Sequence, residues 1–318
     1  MKLERFYRKA IETGTARDLR GAAEIERLLA AERERFDGLK AGDKEDFDSD
    51  RLFNPFADSR ILHGEPKAEV RKVLAGIDIE VGELLLAYLL NRDRGEKIDL
   101  VLSHHPMGTA QAQLHDVMRL QSALLAKYGV TVSVAEQLME KRIGEIERRL
   151  LPINHMREVD AARILGLPLL CLHTPADNCV VHHLTKLFEK KKPATLKDLM
   201  ALLRGIPEYA RAAKNQVPMK IVSGSEANSC GKIFVDMTGG TEGSKDIFDK
   251  LAGSGISTLV GMHFAEDHLA NAKKANLNVV IAGHISSDTL GLNLLLDEIE
   301  KAGKLEYVCL GGFERIRR

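Results

Sequence analysis

Three places in this 318-residue sequence put imidazoles and carboxylates where a short apolar run stops. The run 98–102 gives way to Ser103, His104, His105 and Pro106. The run 167–172 gives way to His173, Thr174, Pro175, Ala176 and Asp177. The run 278–282 gives way to Gly283, His284 and, four residues on, Asp288. Runs of this length read as buried strands. Neighbouring strand side chains point to opposite faces, so His104 and His105 share a site only if the chain has left the strand. Pro106 favours that exit, because it restricts His105 and offers no N–H to a ladder. Neutral imidazole is a common metal ligand. The plainer alternative is that these histidines merely cap strands.

Pooling the three ends gives His104, His105, Asp177, His284 and Asp288. Ligands of open α/β sheets bind beyond the carboxyl ends of parallel strands, so three such ends on one edge would make one site. If Asp288 lies in the first turn of the helix that follows, it and His284 face the same point. Three imidazoles and two carboxylates exceed one tetrahedral zinc site. They suit two metals, with a carboxylate bridging ions about 3.5–4 Å apart. The set holds no thiolate, which fits zinc, iron, manganese, cobalt or nickel without choosing among them.

Other polar clusters carry less. Residues 238–244 (Thr-Gly-Gly-Thr-Glu-Gly-Ser) form a glycine-rich turn between the strand 233–237 and a helix expected from Lys245. The turn lacks the Gly-Lys-Ser/Thr ending of a Walker loop, yet N–H groups at a helix start can hold an anion. A simple tight turn accounts for it equally well. His182 and His183 lie mid-helix about 100° apart and read as structural. His115 and His155 read as surface or core residues.

The elements that must position these groups alternate. Strands are expected at 70–79, 98–102, 167–172, 220–222, 232–237, 255–260, 278–282 and 305–310, with a short β-rich piece at 130–134. Helices are expected at 81–90, 112–128, 135–165, 180–190, 265–275 and 289–302, and one opens after the cap Thr195. A β-α-β order implies parallel strands, hence an α/β fold with mixed or parallel sheets flanked by helices. Leu3, Phe6, Tyr7, Ala10 and Ile11, then Ile25, Leu28 and Leu29, recur at helical spacing, so residues 1–48 read as a helical N-terminal extension. It is expected to pack on the core 49–318 or to form a subunit contact. Lys190–Lys191–Lys192–Pro193 marks a lobe boundary, with 193–275 as a second lobe.

Lys plus Arg (46) equals Asp plus Glu (46), which argues against a general nucleic-acid or membrane-surface binder. The four cysteines are scattered with no Cys-x-x-Cys, which suits a reducing cytoplasm. The first twenty residues are charged throughout, unlike a secretory signal, and no run reaches the ~20 apolar residues of a membrane span.

Ser-His-His-Pro after one strand, His-Thr-x-x-Asp after a later one, Gly-Gly-x-x-Gly-Ser before a helix, and Gly-His-x-x-Ser-acid near the C-terminus resemble, in order, the Nif-three-like family, whose members are often labelled GTP cyclohydrolase type 2 homologues. The resemblance covers about residues 54–318. It implies a two-lobed fold, a dinuclear centre with two divalent ions per chain, and a toroidal homohexamer. Residue by residue, the metal ligands fall on His104, His105, Asp177, His284 and Asp288. The last is usually glutamate, one methylene longer. His173 and Thr174 match the motif as residues orienting Asp177, and His263 lies where the family often has an acid. The gap between His105 and Asp177 is long for the family, implying a helical insertion at 107–165. The function implied is a metal-dependent hydrolase acting on a phosphorylated or nucleotide-like small molecule through a metal-bridged hydroxide. The alternative is a non-enzymatic metal-binding or regulatory protein acting through protein partners. No catalytic residue and no organic cofactor site is assigned.

Overall fold

The computed structural model describes residues 1–318. The N-terminal part holds α1 (Leu3–Ala16), α2 (Ala22–Gly38), α3 (Ala41–Glu45), β1 (Ser59–His63), β2 (Lys72–Gly76), α4 (Val81–Arg94) and β3 (Leu100–Ser103). A helical stretch follows: α5 (Gly108–Ala112), α6 (Leu114–Val117), α7 (Arg119–Lys127), α8 (Val132–Leu150) and α9 (Arg157–Leu165). Then come β4 (Leu169–Leu172), α10 (Thr174–Lys191), α11 (Leu196–Arg204), α12 (Pro207–Lys214), β5 (Lys220–Ser223) and β6 (Lys232–Asp236). The chain ends with α13 (Phe248–Gly253), β7 (Ile256–Gly261), α14 (Glu266–Lys274), β8 (Asn278–Ile281), α15 (His284–Glu300) and β9 (Glu306–Leu310).

The strands form two sheets, of order β1-β4-β3-β2-β9 and β5-β8-β7-β6. Each is parallel except for one antiparallel edge strand, β1 against β4 and β5 against β8. Alternation along the strands splits the core. Val73, Ala75, Leu100, Leu102, Leu170 and Leu172 face the same cluster as Val235, Val260 and Val280 of the second sheet, with residues of α1, α10 and α15 in it. Leu74, Val101 and Leu169 point the other way, onto α4 and α9. Phe234, Leu259 and Val279 face α8, α13 and α14. Three helices are thus sandwiched between two sheets, and each sheet is covered outside by further helices.

The helix α1 belongs to that middle layer. Leu3, Phe6, Tyr7, Ala10 and Ile11 are at most 2% exposed. At about 1.5–3 kcal/mol per large buried side chain, this stripe accounts for its docking. Only Ile25 of α2 is buried. Among the middle helices, α10 and α15 come very close. A Cβ on Gly291 would lie 2.4 Å from the carbonyl oxygen of Ala176, so glycine is required for the approach.

Several expectations need correcting. Residues 130–134 are not β: Val132 opens α8, and no sheet edge lies beside the alternating valines to pair with them. The expected helix 135–165 is broken around Pro152, and 112–128 is divided among α5, α6 and α7. No helix starts at Lys245; α13 begins at Phe248 and has six residues. The strand β1 lies where only a turn-rich stretch is legible. Most consequentially, the three polar strand ends do not share one sheet edge. The strands β3 and β4 are neighbours in the first sheet, whereas β8 lies in the second.

Candidate metal centre

The two histidines after β3 leave the sheet as their doublet requires. Their backbone N–H groups still follow β2, donating to Gly76 and Ile77 carbonyls at 3.0 Å each. His104 is fully buried and its Nδ1 lies 3.0 Å from the carbonyl oxygen of Leu172. A carbonyl only accepts, so Nδ1 carries the hydrogen and Nε2 is left as a free lone pair. His105 directs Nδ1 to Asp78 Oδ1 at 2.6 Å, and His173 directs Nδ1 to Asp58 Oδ2 at 2.8 Å. Each ring is thereby fixed with Nε2 aimed inward, the arrangement that orients metal-ligating histidines.

The carboxylates come from the middle helices. Pro175 stands in the first turn of α10, where its missing N–H costs nothing, and Asp177 occupies the same turn. His284 is the first residue of α15, and Asp288 follows one turn later on the same face. One Asp288 oxygen, Oδ1, lies 3.5 Å from His104 Nε2. The other, Oδ2, lies 3.4 Å from both His105 Nε2 and His284 Nε2. Asp177 Oδ1 is 3.5 Å from His104 Nε2, and Asp177 Oδ2 is 3.9 Å from His173 Nε2. The donor atoms form two triads, His104–Asp177–Asp288 and His105–His284–Asp288, each within 4.8 Å, and Asp288 belongs to both. A third grouping joins His104, His105 and His173.

This cluster is unsatisfied as protein alone. His104 Nε2, Asp177 Oδ1 and both Asp288 oxygens are buried without a hydrogen-bond partner. Buried carboxylates without partners are costly. Lone pairs 3.4–3.5 Å apart repel, yet about 3–3.4 Å is the separation of neighbouring ligands held about 2.1 Å from one ion. The ionisation equilibria record the same conflict. Burial pushes Asp177 up to about 8 and His104 down to about 4. Burial opposes charge on Asp288 too, but the surrounding histidines hold it far below the usual carboxylate range. His173 is disfavoured as a cation by burial, yet Asp177 and Asp58 outweigh this and raise it to about 9. The donor set fits divalent metal in both triads.

A cavity of about 330 Å³ opens from the cluster, with His105, His173, Asp177, His284 and Asp288 on one wall. The glycine-rich turn, Met262, His263 and Phe264 also line the cavity. The His263 ring centroid is 4.9 Å from that of His284, and its Nδ1 lies 3.3 Å from Glu242 Oε1. Asp236, at the end of β6, is raised to about 6 by burial.

All five residues singled out as ligands converge here. His173 does more than orient Asp177, since its own Nε2 faces the cluster. Thr174 donates to Asp58 Oδ2 at 2.6 Å and has no bond to Asp177. His155 bonds Gln111 and the Leu150 carbonyl, outside the cluster. The orienting role of Asp58 and Asp78 was not legible: Asp58 lies in a turn-rich stretch and Asp78 near the end of the expected strand 70–79, and their histidine partners are 115 and 27 residues away.

Solved structures that resemble the chain include the following two. The NIF3 superfamily protein from Sphaerobacter thermophilus is 27% identical, with a TM-score of 0.69, covering 80% of this chain and 91% of that one. Reduced HcgD from Methanocaldococcus jannaschii is 15% identical, with a TM-score of 0.51, covering 86% of this chain and 98% of that one, a likeness of fold. No protein-family model matches the chain, and no curated protein matches it.

Proposed function

This chain belongs to the NIF3 superfamily, and from that premise we propose that it holds two divalent metal ions and hydrolyses a phosphorylated or nucleotide-like small molecule. The observation that carries the reading is the shared carboxylate: Asp288 turns one oxygen to His104 and the other to His105 and His284, and neither has a hydrogen-bond donor. His104, Asp177 and Asp288 would hold the inner ion, with His173 beside them. His105, His284 and Asp288 would hold the outer ion, at the cavity. When bound, a pair of such ions supplies Lewis acidity and acidifies water near neutral pH. The chain supplies the rest. Asp58, Asp78 and the Leu172 carbonyl fix the tautomers of His173, His105 and His104, so these three rings need not rotate on binding. The cavity, at the lower end of the about 300–1,000 Å³ typical of small-molecule sites, is of a size to take a small molecule.

The test is metal per chain by plasma mass spectrometry, followed by a screen of phosphate esters and nucleotides with and without zinc, manganese or iron. About two ions per chain and metal-dependent turnover lost in Asp177→Ala support the reading. Two ions with no turnover on any ester would leave a metal-binding protein acting through partners. A chain that stays metal-free after reconstitution overturns both. The same reading carries a cytoplasmic homohexamer, tested by light scattering.

A further inference from the structure

The geometry points to the turn 239–243 as an oxyanion subsite, in which backbone N–H groups hold a phosphoryl or similar tetrahedral group against the outer ion. The inference rests on the metal-centre reading and specifies where the substrate's anionic group sits. The turn's carbonyls are bonded and its N–H groups are not. Side chains claim the carbonyls: Gln121 Nε2 donates to Gly239 and Thr241 oxygens at 2.7 and 2.6 Å. Arg142 Nε donates to the Glu242 oxygen at 3.0 Å, and His268 Nε2 to the Gly243 oxygen at 3.1 Å. None of the five N–H groups of residues 239–243 has an acceptor in the chain. Residues 240–243 line the cavity together with His105, His284 and Asp288.

Gly239 is buried and residues 240–243 are half-buried. Successive N–H groups around left-handed residues make anion-binding concavities, and Gly239 and Gly240 have φ of +91° and +88°. The glycines are fixed by packing as well. A Cβ on Gly239 would meet Gln121 Cγ at 2.8 Å, and one on Gly240 would meet Val117 Cγ1 at 3.1 Å. Residues of α6 and α7 therefore pack directly against the turn and hold it in place. The turn is also registered to the ligand helix: Thr238 Oγ1 donates to Asn178 Oδ1 at 2.7 Å, and Asn178 follows Asp177. The cavity also carries Asp177, Asp236, Glu242 and Asp288, so an anion enters it only once cations offset them.

The probe is inorganic phosphate. Zinc-loaded protein labelled with ¹⁵N-glycine is titrated with phosphate, and the same titration is followed by calorimetry in wild type, Gln121→Leu and Gly240→Ala. Expected are saturable shifts of the Gly239, Gly240 and Gly243 amides, and phosphate dissociation constants at least tenfold weaker in both variants with zinc still at two per chain. Binding that leaves those amides unmoved places phosphate on the ions alone and overturns the inference, as does zinc-loaded wild type that binds no phosphate. The amide shifts decide the matter even if a variant fails to fold. Absence of zinc, by contrast, would be a failure of the metal centre itself.

Discussion

Gly291→Ala tests the proposition that helix packing sets the metal geometry. The added Cβ would lie 2.4 Å from the Ala176 carbonyl oxygen and 3.5 Å from Val180 Cβ. Relief to an ordinary contact requires α10 and α15 to part by about 1 Å, since neither partner is the end of a flexible side chain. Overpacking of this kind costs about 1–3 kcal/mol, while replacing a mid-helix glycine returns about 1 kcal/mol of propensity. A control is Gly82→Ala in α4, where nothing lies within 4 Å of the new Cβ. It stands in the first turn of α4 and adds no clash, so it gains at most about 0.5–1 kcal/mol. The two variants should therefore differ by about 1–3 kcal/mol, a few degrees in Tm for a chain of this size. The consequence for metal is sharper. Asp177 follows Ala176 directly and Asp288 precedes Gly291 by one turn, so both carboxylates move apart. Ligand distances tolerate only about 0.2 Å. Metal affinity, read by competition with a chromogenic chelator, should fall at least tenfold in Gly291→Ala and stay unchanged in Gly82→Ala. If Gly291→Ala is as stable as Gly82→Ala and binds metal like wild type, the packing argument is wrong.

Other outcomes follow from the same geometry. Asp58→Ala removes the acceptor that fixes His173 and should weaken metal binding by about 10–100-fold with the fold retained by circular dichroism. Asp288→Asn should lower metal content at both positions, whereas His284→Ala should lower it by about one ion per chain; equal losses in the two variants would argue against a shared carboxylate. Chelation of metal-loaded protein should reduce Tm, because at 1,000 times Kd a ligand contributes about 4 kcal/mol. For metal-free protein, Asp236 keeps its proton up to about pH 6 in the fold but loses it near 3.8 when unfolded. The unfolded state then binds fewer protons between those values, so this carboxyl makes stability fall as pH rises from about 4 to 6. Asp236→Asn should flatten that part of a urea-midpoint profile, and an unchanged slope would remove Asp236 as its source.

The chemistry of this protein was written locally. Each pair of candidate donors sits within five residues, His104–His105, His173–Asp177 and His284–Asp288, at the end of an apolar run, and strand-then-polar patterning is visible without a structure. So were most strands and the amphipathic stripe of α1, because periodicity depends only on neighbours. What could not be read was non-local. Periodicity does not say which sheet a strand joins, and β8 proved to lie opposite β3 and β4, with the site bridging two sheets instead of lining one edge. Asp58 and Asp78 gained their roles from histidines remote in sequence, and the turn 239–243 gained its polarity from Gln121, Arg142 and His268. Residue types and spacing determined which atoms were available; the close packing of α10 on α15 between two sheets decided which of them share one point in space, because only tertiary contact sets distances across the chain.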